Sequence, residues 1–466
     1  MMIKKIFLKF IKRYKCKAGY GEFLNIAVPL IICTGMISIQ QFINRMFLSW
    51  HSQIDLAASL PAGVLNFTIM SLFVGTVSYV DVFIAQYYGR EDYEKIGPAV
   101  WQGVYLAVAG AAVLLLISFF SKDIFGIINH NHDVMIKEIS YFKILCYGAF
   151  PALACSSFSG FYAGQGKTKI IVLINIVTIT INCILDYILI FGKLGFPNLG
   201  IRGAGIATII SSFIMMVIYI VLITSKNNDG LFSTRNIRID FSFLKRLWNY
   251  GFANGIQFFF DMAGFTFFVF VIGKIGTLAL TASTIVLNIN MLMFMPVLGL
   301  GMTTSIMVAQ NLGRNNTFLA VRSVYSALHI AFVHVLFVIS CYLFLADFFI
   351  APFLKDYPPE LYNQIYPICI TLLQFLAVYA VGDPICIIFS FAIKGAGDTA
   401  FVMKTLILSV LCVIIIPLTV IILIFKLGGL YTSWTILTTN IIVLAVSFFL
   451  RYRTGKWKRM RVINQN

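Results

Sequence analysis

The stretch IQFFFD, Ile256 to Asp261, sets a carboxylic acid inside a long, largely apolar run from Leu247 to Ile272. About 20 apolar residues are what an α-helix needs to cross a hydrocarbon core. An ionised carboxylate in the middle of that core costs roughly 2.5–3.5 kcal/mol on insertion scales, so it faces protein or water and by default marks a functional site. The same text recurs as IQQFIN, Ile39 to Asn44, at the matching place of the first apolar run, with an amide in place of the acid.

The remaining sequence has the same character. Its 466 residues are 60% hydrophobic and 11% charged, with a mean hydropathy of +0.91, which is too little polar surface for a water-soluble globule. Twelve apolar windows of spanning length follow one another, beginning at residues 23–48 and 57–85 and ending at 428–450. The expected fold is an all-α polytopic membrane protein with twelve transmembrane helices.

The net charge of +17 suggests nucleic acid until the cations are placed. Seven lysines and arginines lie in the first 17 residues, five between Lys226 and Arg246, and six from Arg451 to Arg461. Connectors that would face outward carry at most two each. This is the positive-inside bias. It puts both termini and the central connector in the cytoplasm, and it reports topology and attraction to anionic lipid rather than a nucleic-acid partner. Residues 1–14, MMIKKIFLKFIKRY, alternate apolar and basic side chains as an interfacial amphipathic helix would. Nine cysteines, scattered and without metal-ligand spacing, read as apolar core residues.

Two more local repeats join the first. AQYYGR (Ala85–Arg90) recurs as AQNLGR (Ala309–Arg314), and AGQGKT (Ala163–Thr168) as KGAGDT (Lys394–Thr399). All three pairs are displaced by roughly 220 residues in one chain order, the mark of a duplicated unit. With six helices per unit, both copies enter the membrane the same way and form parallel, pseudo-symmetric lobes. The expected organisation is an N-terminal basic segment at 1–20, a six-helix lobe at 21–225, a linker at 226–246, a second lobe at 247–450 and a basic tail at 451–466.

Within the helices, proline removes a backbone donor and frees a carbonyl one turn earlier. Pro29 and the triplet Gly382-Asp383-Pro384 are the expected helix breaks, the latter presenting a carboxylate and loose carbonyls together, as a small hard cation requires. A plain proline kink with the acid facing loop water is the alternative. Asn182 and Asp186, four apart, share a helix face; they form either a cation site or a polar pair that joins helices. No nucleophile, base and orienter stand together in the loops, so no enzyme is expected, and no cofactor or resident metal.

LNIAVPLI in the first run, AQYYG, GFYAGQGKT, NCILDYILIFG, RGAGIAT, AQNLG and KGAGDT together resemble the multidrug and toxic compound extrusion (MATE) transporters, from about Phe23 to Phe449. The resemblance implies a V of two lobes, alternating access, and export of amphipathic organic cations in exchange for Na+ or H+. Asp261 and Asp383 match the acids of helices 7 and 10 in the NorM-type branch. Asn182, Asp186 and Thr208 match the N-terminal cation site, whose fourth position, usually aspartate, is Asn44 here. An amide neither takes nor releases a proton, although its oxygen can ligate sodium. The partners expected on this reading are small organic substrates, Na+ or H+ and membrane lipid, for a monomer in a bacterial inner membrane. A lipid-linked saccharide flippase of the same superfamily is the alternative, which Arg45 and Lys143 would favour.

Overall fold

The computed structural model describes residues 12–128, 131–355 and 357–463. Most of the basic amphipathic segment at 1–14 therefore lies outside the described residues. The described residues form helices and connecting turns, with no strand among them. Among the described residues, eleven helices are long and apolar enough to cross a membrane, and the number is twelve if the pair His132–Tyr147 and Ala149–Gly164, bent by 44°, counts as one span. That bend sits at Gly148, just before Pro151.

Only Ser52 interrupts the helical path between α1 (Tyr20–His51) and α2 (Gln53–Ser78), where its side chain accepts from the Ile54 amide at 3.2 Å. The chain continues through α3 (Val80–Arg90), α4 (Ile96–Phe119), α5 (Ser121–Ile128), α6 (His132–Tyr147), α7 (Ala149–Gly164), α8 (Thr168–Phe191), α9 (Ile201–Ile223) and a short α10 (Lys226–Phe232). The second half holds α11 (Phe241–Ile275), α12 (Thr277–Gly313), α13 (Thr317–Phe344), α14 (Ala346–Leu354), α15 (Pro359–Ala396), α16 (Thr399–Ser409) and α17 (Leu430–Arg453).

Neither Pro29 nor the Gly382-Asp383-Pro384 triplet interrupts its helix: α1 and α15 run through them, which corrects the expected breaks. One missing donor frees one carbonyl, and the hydrogen bonds on either side carry the helix across. Departures from α geometry occur elsewhere. After α16, Val410–Ile415 and Leu418–Ile424 are π-helical turns flanking Pro417, a widening that accommodates a helix irregularity.

The chain divides into two compact units. The first comprises Ile32–Phe259 with the short pieces Gly313–Asn315 and Val462–Asn466. Here α2 and the start of α11 meet at small residues: a Cβ on Gly255 would lie 2.1 Å from the Leu72 carbonyl oxygen, and Asn254 Nδ2 donates to Gly75 O at 2.7 Å. The central connector is strapped along one face of α4. Trp101 Nε1 donates to Thr234 O at 2.7 Å, Gln102 Nε2 to Arg238 O at 2.9 Å, and the Tyr105 hydroxyl to Ile237 O. Asp240 then caps α11, its Oδ1 accepting from the Ser242 and Phe243 amides. The Val462 amide donates to Gln86 Oε1 at 2.9 Å, with both residues buried.

The second unit comprises Met1–Ile31, Phe260–Leu312 and Asn316–Arg461. Its apolar core runs through Phe268, Ile285, Leu372, Leu376, Leu418 and Trp434. Phe268 meets Trp434 edge-on at 5.7 Å, and Trp434 Nε1 donates to Ser283 Oγ at 3.1 Å. A Cβ on Gly395 would fall 2.5 Å from Ser305 O, so α12 and α15 approach with backbone nearly in contact. Two of the unit boundaries fall deep inside long helices, Ile31–Ile32 in α1 and Phe259–Phe260 in α11, the second of them within the IQFFFD stretch.

Candidate cation sites

In the first unit, four of the expected residues belong to one neighbourhood. Asn182 and Asp186 on α8 are completely buried, while Asn44 on α1 and Thr208 on α9 are half-buried. With the Asn44 amide oriented by its surroundings, its nitrogen donates to Asp186 Oδ2 at 2.5 Å and to the Gln40 carbonyl at 3.0 Å. Asn182 Oδ1 accepts from Gln40 Nε2 at 2.8 Å, and Asn182 Nδ2 donates to Ser211 Oγ at 3.3 Å. Ser211 in turn donates to Thr208 O at 3.0 Å, and Thr208 Oγ1 to Ala204 O at 2.9 Å. Asp186 Oδ1 has no hydrogen-bond partner among the described residues. A buried carboxylate oxygen without a donor is costly, and a cation or a proton relieves it.

Gln40 and Ser211 were not anticipated, yet the signal was present. Gln40 precedes Asn44 by one helical turn, as Asn182 precedes Asp186, and Ser211 follows Thr208 by three residues, so each shares a face with a predicted residue.

The second unit holds the other two acids. Asp383 on α15 is buried and Asp261 on α11 is exposed. The two carboxylates are close enough to act on one another electrostatically, and Asp261 also feels the ammonium of Lys394. Lys394 is buried with its Nζ 3.9 Å from the centroid of the Phe391 ring. Tyr342, whose hydroxyl donates to Asn290 Oδ1 at 3.1 Å, and Tyr379 lie within the field of Asp383. Two acids and one base give this group a net charge of −1 when all three are charged.

A third cluster lay outside the predicted set. Asp55, in the first turn of α2 and fully buried, accepts from Lys137 Nζ at 2.8 Å and from the Ile201 amide at 3.1 Å, and pairs with His51 Nδ1 at 2.7 Å. His51 Nε2 lies 2.8 Å from Asn198 Oδ1. These bonds tie α1, α2, α6 and the start of α9 together in the first unit.

The MatE family profile matches residues 29–188 and 255–421. A probable multidrug resistance protein NorM from Pasteurella multocida is 25% identical over 84% of each chain. That of Bacillus subtilis is 26% identical over 92% of this chain and 94% of its own. Multidrug resistance protein MdtK of Proteus mirabilis is 25% identical over 81% and 82%. Among solved structures, a MOP superfamily transporter from Pyrococcus furiosus superposes with a TM-score of 0.84 over 97% of this chain and 99% of its own, at 20% identity. The eukaryotic MATE transporter AtDTX14 gives 0.83 over 97% of each chain, at 19% identity. With the profile spread over both halves and both candidate sites set in a helical membrane fold, the chain belongs to the MatE family, in its NorM-type branch, and is a transporter rather than an enzyme.

Proposed function

We propose that this protein is a secondary antiporter that exports amphipathic organic cations by alternating access in exchange for Na+ or H+. The supporting observation is the unpartnered Oδ1 of fully buried Asp186, held beside Asn44, Asn182, Thr208, Gln40 and Ser211. An orphaned carboxylate oxygen in the membrane is a place where a cation arrives and leaves. Asp261 and Asp383 are the principal coupling acids of the second unit, and the half-buried Tyr379 offers an aromatic face to an organic cation. Coupling follows from differential binding: the ion favours one conformation and the drug the other. The relatives named multidrug resistance proteins support the substrate class. In cells the protein acts as a monomer in a bacterial inner membrane, with six-helix lobes at 21–225 and 247–450 and both termini cytoplasmic.

Buried Lys394 beside Asp261 is the observation that favours the second reading, a lipid-linked saccharide flippase, because a phosphorylated carrier needs a cation in the cavity. Efflux of an organic-cation dye from proteoliposomes under separate sodium and proton gradients tests the proposal. Efflux that follows one gradient, and is lost in Asp261→Asn and Asp383→Asn, supports the antiporter. Gradient-independent transport of a phosphorylated lipid carrier, with no dye efflux, would replace it with the flippase.

A further inference from the structure

The last turn of α17 and the segment that follows it sort their six basic residues into two groups. Arg451 turns inward, with both Nε and the terminal nitrogen 2.7 Å from Asp398 Oδ2 and its guanidinium 4.6 Å from the centroid of the Phe401 ring. Arg461 donates to the backbone carbonyls of Lys458 and Met460. Arg453, Lys456, Lys458 and Arg459 instead project outward, exposed and without an ion pair among the described residues. The Arg453 guanidinium lies over the Phe449 ring, 5.8 Å from its centroid.

This segment is ordered rather than a loose tail. Gly455, at φ +69°, takes the left-handed conformation that turns the chain beyond the helix. The buried Trp457 stacks on Tyr452 at 5.0 Å and donates from Nε1 to Tyr452 O at 3.0 Å. Beyond the 3-10 turn Lys456–Arg459 the chain is buried again at Val462 and Ile463. Four cations are thus fixed on a short ribbon that starts where a membrane span ends, so they lie at the bilayer surface.

We propose that Arg453, Lys456, Lys458 and Arg459 form a built docking surface for anionic phospholipid headgroups. Each cation held near an anionic leaflet is attracted to it. Holding four in place through Trp457 removes much of the ordering cost that a flexible basic tail would bear on binding. The covalent link to α17 selects a lipid phosphate over a soluble one, because the ribbon and the headgroups share one plane. This surface is separate from the candidate cation sites, so it stands or falls independently of the transport reading.

The test is thermal unfolding of the full-length protein in neutral detergent, with phosphatidylglycerol, phosphatidylcholine or inorganic phosphate added. Phosphatidylglycerol is expected to raise the midpoint by roughly 3 °C through selective binding to the folded state, and phosphatidylcholine and phosphate by much less. The fourfold variant R453Q/K456Q/K458Q/R459Q is expected to lose more than half of that shift. W457A keeps every charge and is expected to show an intermediate shift. Native mass spectrometry gives a second readout, with fewer retained phosphatidylglycerol molecules in the fourfold variant. An unchanged phosphatidylglycerol shift in the fourfold variant would overturn the proposal. So would an equal response to phosphatidylcholine, and an equal response to inorganic phosphate would make the surface a site for soluble anions instead.

Discussion

Asn44 donates its amide hydrogen to Asp186 Oδ2 at 2.5 Å between α1 and α8, and Asp186 Oδ1 has no hydrogen-bond partner among the described residues. One neutral donor therefore supports a fully buried carboxylate. A hydrogen bond to a charged group contributes about 1.5–3 kcal/mol, so Asn44→Leu is expected to disfavour the ionised form by about that much. In sodium-driven efflux this reads as at least roughly a tenfold rise in the sodium concentration needed for half-maximal rate. A half-maximal concentration unchanged within twofold would mean that Asn44 does not support Asp186 in the working transporter.

Asn44→Asp makes the opposite change. Two carboxylates at that separation cannot both be ionised, so the pair must hold a shared proton or a metal cation. The variant is expected to carry about one more cation per transported substrate, measured as the ratio of ion to substrate flux in vesicles. An unchanged ratio would place the cation elsewhere.

Asp55 gathers Lys137, His51 and the Ile201 amide on one buried carboxylate. Removing one member of a buried ionic cluster leaves the others desolvated and unpaired, at about 3–5 kcal/mol for a wholly buried pair. Lys137 is about two-fifths exposed, so about 2 kcal/mol is expected for Asp55→Asn. Combining it with Lys137→Met is expected to cost less than the sum of the single changes. A denaturation series in detergent measures this, and strict additivity would show that the cluster is energetically uncoupled.

Gly255 packs on Leu72 and Thr76, where a Cβ would lie 2.1 Å from one oxygen and 2.4 Å from another. Overpacking of this kind costs about 1–3 kcal/mol. Gly255→Val is expected to lower the unfolding midpoint and the folded yield. Gly35→Val, at a site with open space around it, is the control expected to leave both unchanged.

How much of this was legible beforehand depended on where each residue lies relative to the apolar runs. Asp261, Asp383, Asn182 and Asp186 stand out because a polar group inside a hydrocarbon-length helix is expensive and therefore conspicuous. Asp55 and His51 were hidden because residues 49–56 read as a loop, whereas α1 and α2 continue through all of it except Ser52. Lys137 and Ile201, the partners of Asp55, are 82 and 146 residues away in sequence, a distance at which local pattern carries no information. The expected break at Gly382–Pro384 failed for a different reason. A single missing donor is a local loss, and a 38-residue helix packed along its length absorbs it. The central connector read as a charged linker, and its backbone carbonyls proved to be satisfied by Trp101, Gln102 and Tyr105 on α4.

That strap can be tested by limited proteolysis of the 233–240 segment. Wild-type protein is expected to resist cleavage there, and the double variant Trp101→Phe, Gln102→Ala to be cut several-fold faster, since each bond contributes about 1 kcal/mol. Equal cleavage rates would show that these bonds do not hold the connector.

The most direct test of ion loading at Asp186 is substrate-induced countertransport. Proteoliposomes are equilibrated with labelled sodium, or with a pH dye for protons, and an organic cation is then added to one side. Wild-type protein is expected to move one of the two ions against the substrate, and Asp186→Asn to bind the substrate while moving at least about tenfold less of that ion. Ion movement in Asp186→Asn equal to that of the wild type would contradict the assignment of this buried carboxylate as a coupling site.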